Sequence, residues 1–195
     1  MKATMMTDGN NTAQKLKKSA YDMSADLMRE EVVRRTLAVT VDNEAGVLAR
    51  VIGLFSGRGY NIESLTVAEI DHDRHRSRIT IVTNGTPMVI QQIKAQLERI
   101  VPVHRVTDLT IEGPAIEREL AMVKVASIGE ARMEALRLKE AFRARIVDST
   151  LNSFVFEVSG RPEKIDAFAE RMRPLGLVEV TRTGVVAIRR GAEGM

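Results

Sequence analysis

The chain has 195 residues, 44% hydrophobic and 28% charged, with a formal net charge of +3 and no cysteine. That length accommodates two small domains with cores of their own, while the lack of cysteine excludes disulfides, thiol nucleophiles and cysteine-ligated metals and accords with a reducing cytoplasm. The small positive charge argues little for nucleic acid, and no run approaches the roughly twenty apolar residues of a membrane-spanning helix.

Residues 1–33 read as an N-terminal extension. Met1–Thr12 is small and polar and is expected to be disordered, whereas Leu16, Ala20, Met23 and Leu27 recur at helical spacing and predict a short amphipathic helix, either a frayed leader or a docking element. The segment lacks a compact apolar signal-peptide core, and Asp8, Asp22, Asp26, Glu30 and Glu31 make it too acidic for a mitochondrial transit peptide.

From Arg34 the pattern is regular. A strand over Arg35–Val41 meets the turn and cap residues Asp42-Asn43-Glu44, and a helix over Glu44–Ser56 carries Val47, Leu48, Val51, Ile52, Leu54 and Phe55 at helical spacing. Gly57-Arg58-Gly59 stops it, since glycine takes the left-handed C-terminal conformation. Strands follow over Asn61–Ile70 and Ser77–Thr83, joined by the hairpin Asp71–Arg76; its His72 and His75 lack a third ordered ligand and read as solvated. A helix over Pro87–Arg99, capped by Thr86 and striped by Val89, Ile93 and Leu97, and a strand over Val103–Thr110 complete a βαββαβ unit spanning 34–110. Residues 111–118 form a linker whose Ile111-Glu112-Gly113-Pro114 breaks helix and strand alike.

The order then repeats over 119–191: strand Glu119–Ser127, helix Glu130–Phe142, strands Ala144–Asp148 and Ser153–Ser159, helix Pro162–Arg173, and strand Leu177–Thr183 leading into Val185–Arg189. The predicted fold class is therefore α+β, two tandem ferredoxin-like βαββαβ modules.

Function is legible in one place. Asn43 ends the first strand, Asn61 begins the second, and Gly46 sits between them at a helix start. A helix N-terminus offers unpaired N–H groups to a carboxylate, asparagine both donates and accepts, and a glycine lets a ligand approach the backbone. Val47, Leu48 and Ile62 supply apolar walls, so the set describes a pocket for a free amino acid, although the local pattern alone favours an ordinary capped helix, with Asn43 satisfying its own backbone and Gly46 incidental. The second module has Ser127-Ile128-Gly129-Glu130 at the equivalent corner and is not expected to bind in the same way.

Asn43-Glu44-Ala45-Gly46-Val47-Leu48, then Arg50–Ser56 and Arg58–Val67, resembles the opening of an ACT domain, and more closely the small, regulatory subunit of acetolactate (acetohydroxyacid) synthase. The likeness runs from about Arg34 through Gly191 and is carried further by Glu117-Arg118-Glu119-Leu120, Arg145-Ile146-Val147-Asp148 and Gly184–Gly191; Arg58–Val67 is the most specific piece. Many ACT domains have proline where this chain has Ala45. The resemblance implies a non-catalytic subunit that activates a large catalytic subunit and confers feedback inhibition by valine or another branched-chain amino acid. Thiamine diphosphate, magnesium and FAD would belong to that partner, with no cofactor and no metal in this chain. It further implies a homodimer through the ACT domain, with Asn43, Glu44, Ala45, Gly46, Val47 and Leu48 of one chain and Asn61 and Ile62 of its partner around the effector.

Two other readings stand beside it. A free-standing ACT-type amino-acid sensor would lack the second module's likeness to the synthase subunit. An RNA-binding tandem would need exposed aromatics on its central strands; Phe154 and Phe156 occupy such a strand, but Arg78–Val82 in the first module offers none. No phosphate-binding loop, nucleophile elbow or zinc-helix motif is present, and neither nucleic acid nor membrane is an expected partner.

Overall fold

A computed structural model describes residues 31–192 and 194. The expected helix on Leu16, Ala20, Met23 and Leu27 lies outside the described residues. The first module comprises β1 (Val33–Asp42), α1 (Val47–Arg58), β2 (Ser64–Asp71), β3 (Arg76–Gly85), α2 (Pro87–Leu97) and β4 (Val103–Asp108). Its strands form an antiparallel sheet in the order β2-β3-β1-β4. Alternation along β1 turns Leu37, Val39 and Val41 toward the helices, where they meet Ile79, Ile81, Val51, Phe55, Ile93 and Leu97 in one core. α1 begins at Val47 rather than Glu44 because Gly46 has φ 88°, which no helical residue adopts. β2 begins at Ser64 rather than Asn61, so Tyr60 to Glu63 is a connection.

The second module comprises β5 (Ala115–Ala126), α3 (Gly129–Phe142), β6 (Arg145–Ser149), β7 (Ser153–Gly160), α4 (Pro162–Met172), β8 (Leu177–Arg182) and β9 (Val186–Arg189), with sheet order β6-β7-β5-β8. Phe154 and Phe156 are buried under the helices, and the Phe156 ring stands edge-on to Phe168 at 6.1 Å. They fill the core and present no face on which a base could stack. The structure thus gives two antiparallel sheets, each carrying its helices on one face, in an α+β arrangement.

The modules meet through a ribbon that local periodicity does not reveal. β5 starts at Ala115, inside the expected linker, because Ala115–Arg118 pairs antiparallel with Val186–Arg189. This ribbon covers the helix-free face of the first sheet, packing Ala115 and Ala187 on Ala38 and Leu109. Beside it, the Val185 N–H donates to Ser64 Oγ at 2.8 Å, and Thr66 Oγ1 donates to the Val185 carbonyl at 3.0 Å. Gly184 permits the approach, since a Cβ there would stand 2.7 Å from Ser64 Oγ. Glu112 ties the Ile111–Pro114 stretch down: its carboxylate accepts from Lys94 Nζ at 2.8 Å and from the Asp108 N–H at 3.0 Å. Burial pushes the Glu112 pKa up, but Lys94 and the Asp108 amide outweigh it and hold the group below the ordinary glutamate value.

Candidate functional site

The β1–α1 corner is built by backbone bonds. The Asn43 N–H donates to the His75 carbonyl at 2.6 Å, and the Asp42 N–H to the Pro102 carbonyl at 3.3 Å, which fixes the loop between the β2–β3 hairpin and the start of β4. Glu44 and Arg50 approach to 3.5 Å across the corner. Asn43 does not cap the helix; the cap position falls to Gly46, which has no side chain to offer.

The consequence is an open helix N-terminus. α2 gives its Val89 amide to the Thr86 hydroxyl, and α3 and α4 carry Glu130 and Glu163 in their first turns. Among the four described α-helices, α1 alone has neither a side-chain cap nor an acidic first-turn residue. Its free N–H groups and positive dipole end are therefore available to a carboxylate from outside. Nothing lies within 4 Å of the place a Gly46 Cβ would occupy.

The residues expected at this site separate into two groups. Asn43, Glu44, Ala45, Gly46 and Leu48 are exposed at the corner. Val47 adjoins them through its backbone only, because its side chain is in the core and walls no pocket. Asn61 and Ile62 lie at the other end of the sheet. The Asn61 carbonyl accepts from Thr83 Oγ1 at 2.6 Å and its amide donates to Asn84 Oδ1 at 3.2 Å. Asn84 is in register with Arg34, whereas Asn43 follows Asp42. Eight residues of β1 separate the two ends, about 26 Å at the rise of a strand, so one chain does not bring the two groups together.

Four further side chains join Asn61 to its surroundings. Asn84 Nδ2 donates to Glu63 Oε1 at 2.8 Å, Glu63 lies 3.4 Å from Arg34 Nε, and Arg34 Nη1 donates to Glu117 at 3.2 Å. No local signal singles them out, because the contacts cross strands and modules. His72 and His75 stand 6.4 Å apart with His72 paired to Glu69, and no group of three potential metal ligands comes together among the described residues. No described helix is long and apolar enough to cross a membrane.

A βαββαβ sandwich with an uncapped, glycine-led helix after its first strand is an ACT-type module, here in tandem with a second ferredoxin-like module. Comparison with known proteins agrees: residues 37–105 match the AHAS small subunit-like ACT domain model, and residues 118–191 match the model described as the small subunit of acetolactate synthase. The acetolactate synthase isozyme 3 small subunit of Salmonella typhimurium is 47% identical over 82% of this chain and 97% of its own length. The probable acetolactate synthase small subunit of Archaeoglobus fulgidus is 45% identical over 82% and 98%. The crystal structure of the acetolactate synthase small subunit from Thermotoga maritima superposes with a TM-score of 0.74 at 33% identity, covering 83% of this chain and 99% of that one. The chain belongs to the family of acetolactate synthase small subunits.

Proposed function

We propose that this chain is a regulatory subunit that binds the catalytic subunit of acetolactate synthase in the cytoplasm, raises its activity, and confers feedback inhibition by valine or another branched-chain amino acid. The observation that carries the reading is the open N-terminus of α1, which leaves a carboxylate-sized set of N–H donors beside Gly46. Thiamine diphosphate, magnesium and FAD belong to the catalytic partner in this proposal.

The effector site is completed by a second copy of the chain. Among the described residues β2 is an edge strand paired with β3 alone, and it exposes Val67 and Ile70. Antiparallel pairing of two β2 edges about a twofold axis sets one copy's Ser64 end beside its partner's Asp71 end. Asn61 and Ile62 of one copy then stand about three strand spacings, roughly 15 Å, from the corner at Asn43 and Gly46 of the other. That gap suits an amino acid and the side chains that hold it, which the intrachain separation does not.

Asn43→Ala and Asn61→Ala each delete a hydrogen bond to a charged ligand group. Each is expected to raise the valine concentration for half inhibition by on the order of ten- to a hundredfold while leaving activation intact. A valine dose–response on each reconstituted variant, with its melting temperature alongside, checks this. Inhibition curves that coincide with wild type in well-folded variants would place the effector elsewhere.

A further inference from the structure

Resting on the effector site above, we propose that Arg34 is a positioning residue of that site: the module junction around it carries the effector's presence from Asn61 to the second module. Starting at the ligand-facing amide, polar contacts run unbroken from Asn61 to Asn84 (3.2 Å), Asn84 to Glu63 (2.8 Å), Glu63 to Arg34 (3.4 Å) and Arg34 to Glu117 on β5 (3.2 Å). The second Glu117 oxygen accepts from the Thr36 hydroxyl. One residue past Glu63, Ser64 takes the Val185 amide of the β8–β9 connection. The start of β2 therefore belongs at once to the effector site and to the junction.

The junction is also lightly packed. Its apolar part is small, made by Ala38, Leu109, Ala115 and Ala187. Arg34 stands between two hollows, a cleft of about 610 Å³ lined in part by Glu63, Glu119, Asp166 and Arg182, and a smaller one of about 250 Å³ that Glu117 and Arg161 help line. Polar, incompletely filled contacts between modules resemble transient interfaces and permit relative movement. Partly exposed ion pairs are individually weak, so exchanging one for another costs little. A ligand acceptor that takes the Asn61 amide frees the Asn84 oxygen, so the Asn84 side chain can turn and loosen its bond to Glu63. Arg34 is then shared differently between Glu63 on the first module and Glu117 on the second, which changes how β5 and β9 sit on the first sheet. Because such coupling is reciprocal, the junction that transmits the effector's presence also sets its affinity.

The test uses the full chain with Arg34→Met, with Glu117→Gln, and with both, each reconstituted with the catalytic subunit of the same organism. Glu117→Gln preserves shape and keeps one acceptor oxygen while removing the charge, so it reads the ion pair even if Arg34→Met folds poorly. Calorimetry is expected to show valine still binding every variant, and activation without valine is expected to persist. The valine concentration for half inhibition should rise by roughly two- to fivefold in each single variant, the size of a partly exposed ion pair, with the double variant no worse than the more severe single because both remove the Arg34–Glu117 contact. Amide exchange at Val185 should respond to valine in the wild type and not in the variants. Wild-type inhibition curves in variants that bind valine would overturn the role of Arg34 alone. A wild-type chain that binds no valine by calorimetry would instead remove the effector site itself, and this inference with it.

Discussion

A methyl group added at Gly53 meets nothing within 4 Å, whereas one added at Gly176, where φ is 93°, would lie 2.1 Å from the Ala126 carbonyl oxygen. Both are single glycines in the sequence, yet the chain needs only one of them for steric reasons. Gly53→Ala is expected to stabilise by about 0.5–1 kcal/mol through helix propensity. Gly176→Ala is expected to destabilise by roughly 3 kcal/mol or more, since neither the backbone angle nor the carbonyl can give way cheaply. Urea melts of the two variants check the opposite signs. Gly46 stands on the same footing as Gly176 in its angle but not in its surroundings: its strain with any side chain is conformational, and the space above it is open. The residue types at the corner were legible from the sequence, but their division of labour was not. Asn43 has the composition of a cap, but α1 starts at Val47 with Gly46 in the cap position, and so it is left without a side-chain cap.

At the level of elements, alternation and helical spacing located each module's strands and helices to within a few residues, because most of them bury one face against their own core, the exposed β6 being an exception. Pairing between distant strands is another matter. Val186–Arg189 has no local feature that specifies Ala115–Arg118 as its partner, and the ribbon forms because both sequences place small alanines against the first sheet. Edges are decided in the same way: β2 is an edge only because β3 separates it from β1. If the homodimer forms there, Val67→Lys should convert a dimer to a monomer at micromolar concentration and abolish valine inhibition, while shifting stability by no more than about 0.5 kcal/mol. Light scattering with and without valine reads this. A dimer that persists in the variant would move the contact to another edge, such as β6, where Ile146 and Val147 are exposed.

For the whole molecule, the modules have separate cores, and what lies between them is largely polar, so solution conditions should act on the junction before they act on either core. Glu112 is the clearest lever. Its folded pKa lies below the ordinary glutamate value of 4.5, so its stabilising ties are present above that value and are lost as pH falls through the folded pKa. Wild type is therefore expected to lose melting temperature between pH 5 and pH 3 more steeply than Glu112→Gln, which does not titrate at this position; parallel curves would show that Glu112 contributes nothing to the acid response. The same separation explains how far the sequence reaches. Periodicity, turn chemistry and the run from Asn43 to Val67 were enough to determine two βαββαβ modules and the family, because those features depend on each residue's neighbours in the chain. The tertiary structure alone decided that Asn43 and Asn61 lie at opposite ends of one sheet, that β9 seals the first module, and that Arg34 joins Glu63 to Glu117. Those facts rest on contacts between residues as many as 121 positions apart, such as Ser64 and Val185, and no local pattern of side chains encodes which distant partner a strand will meet.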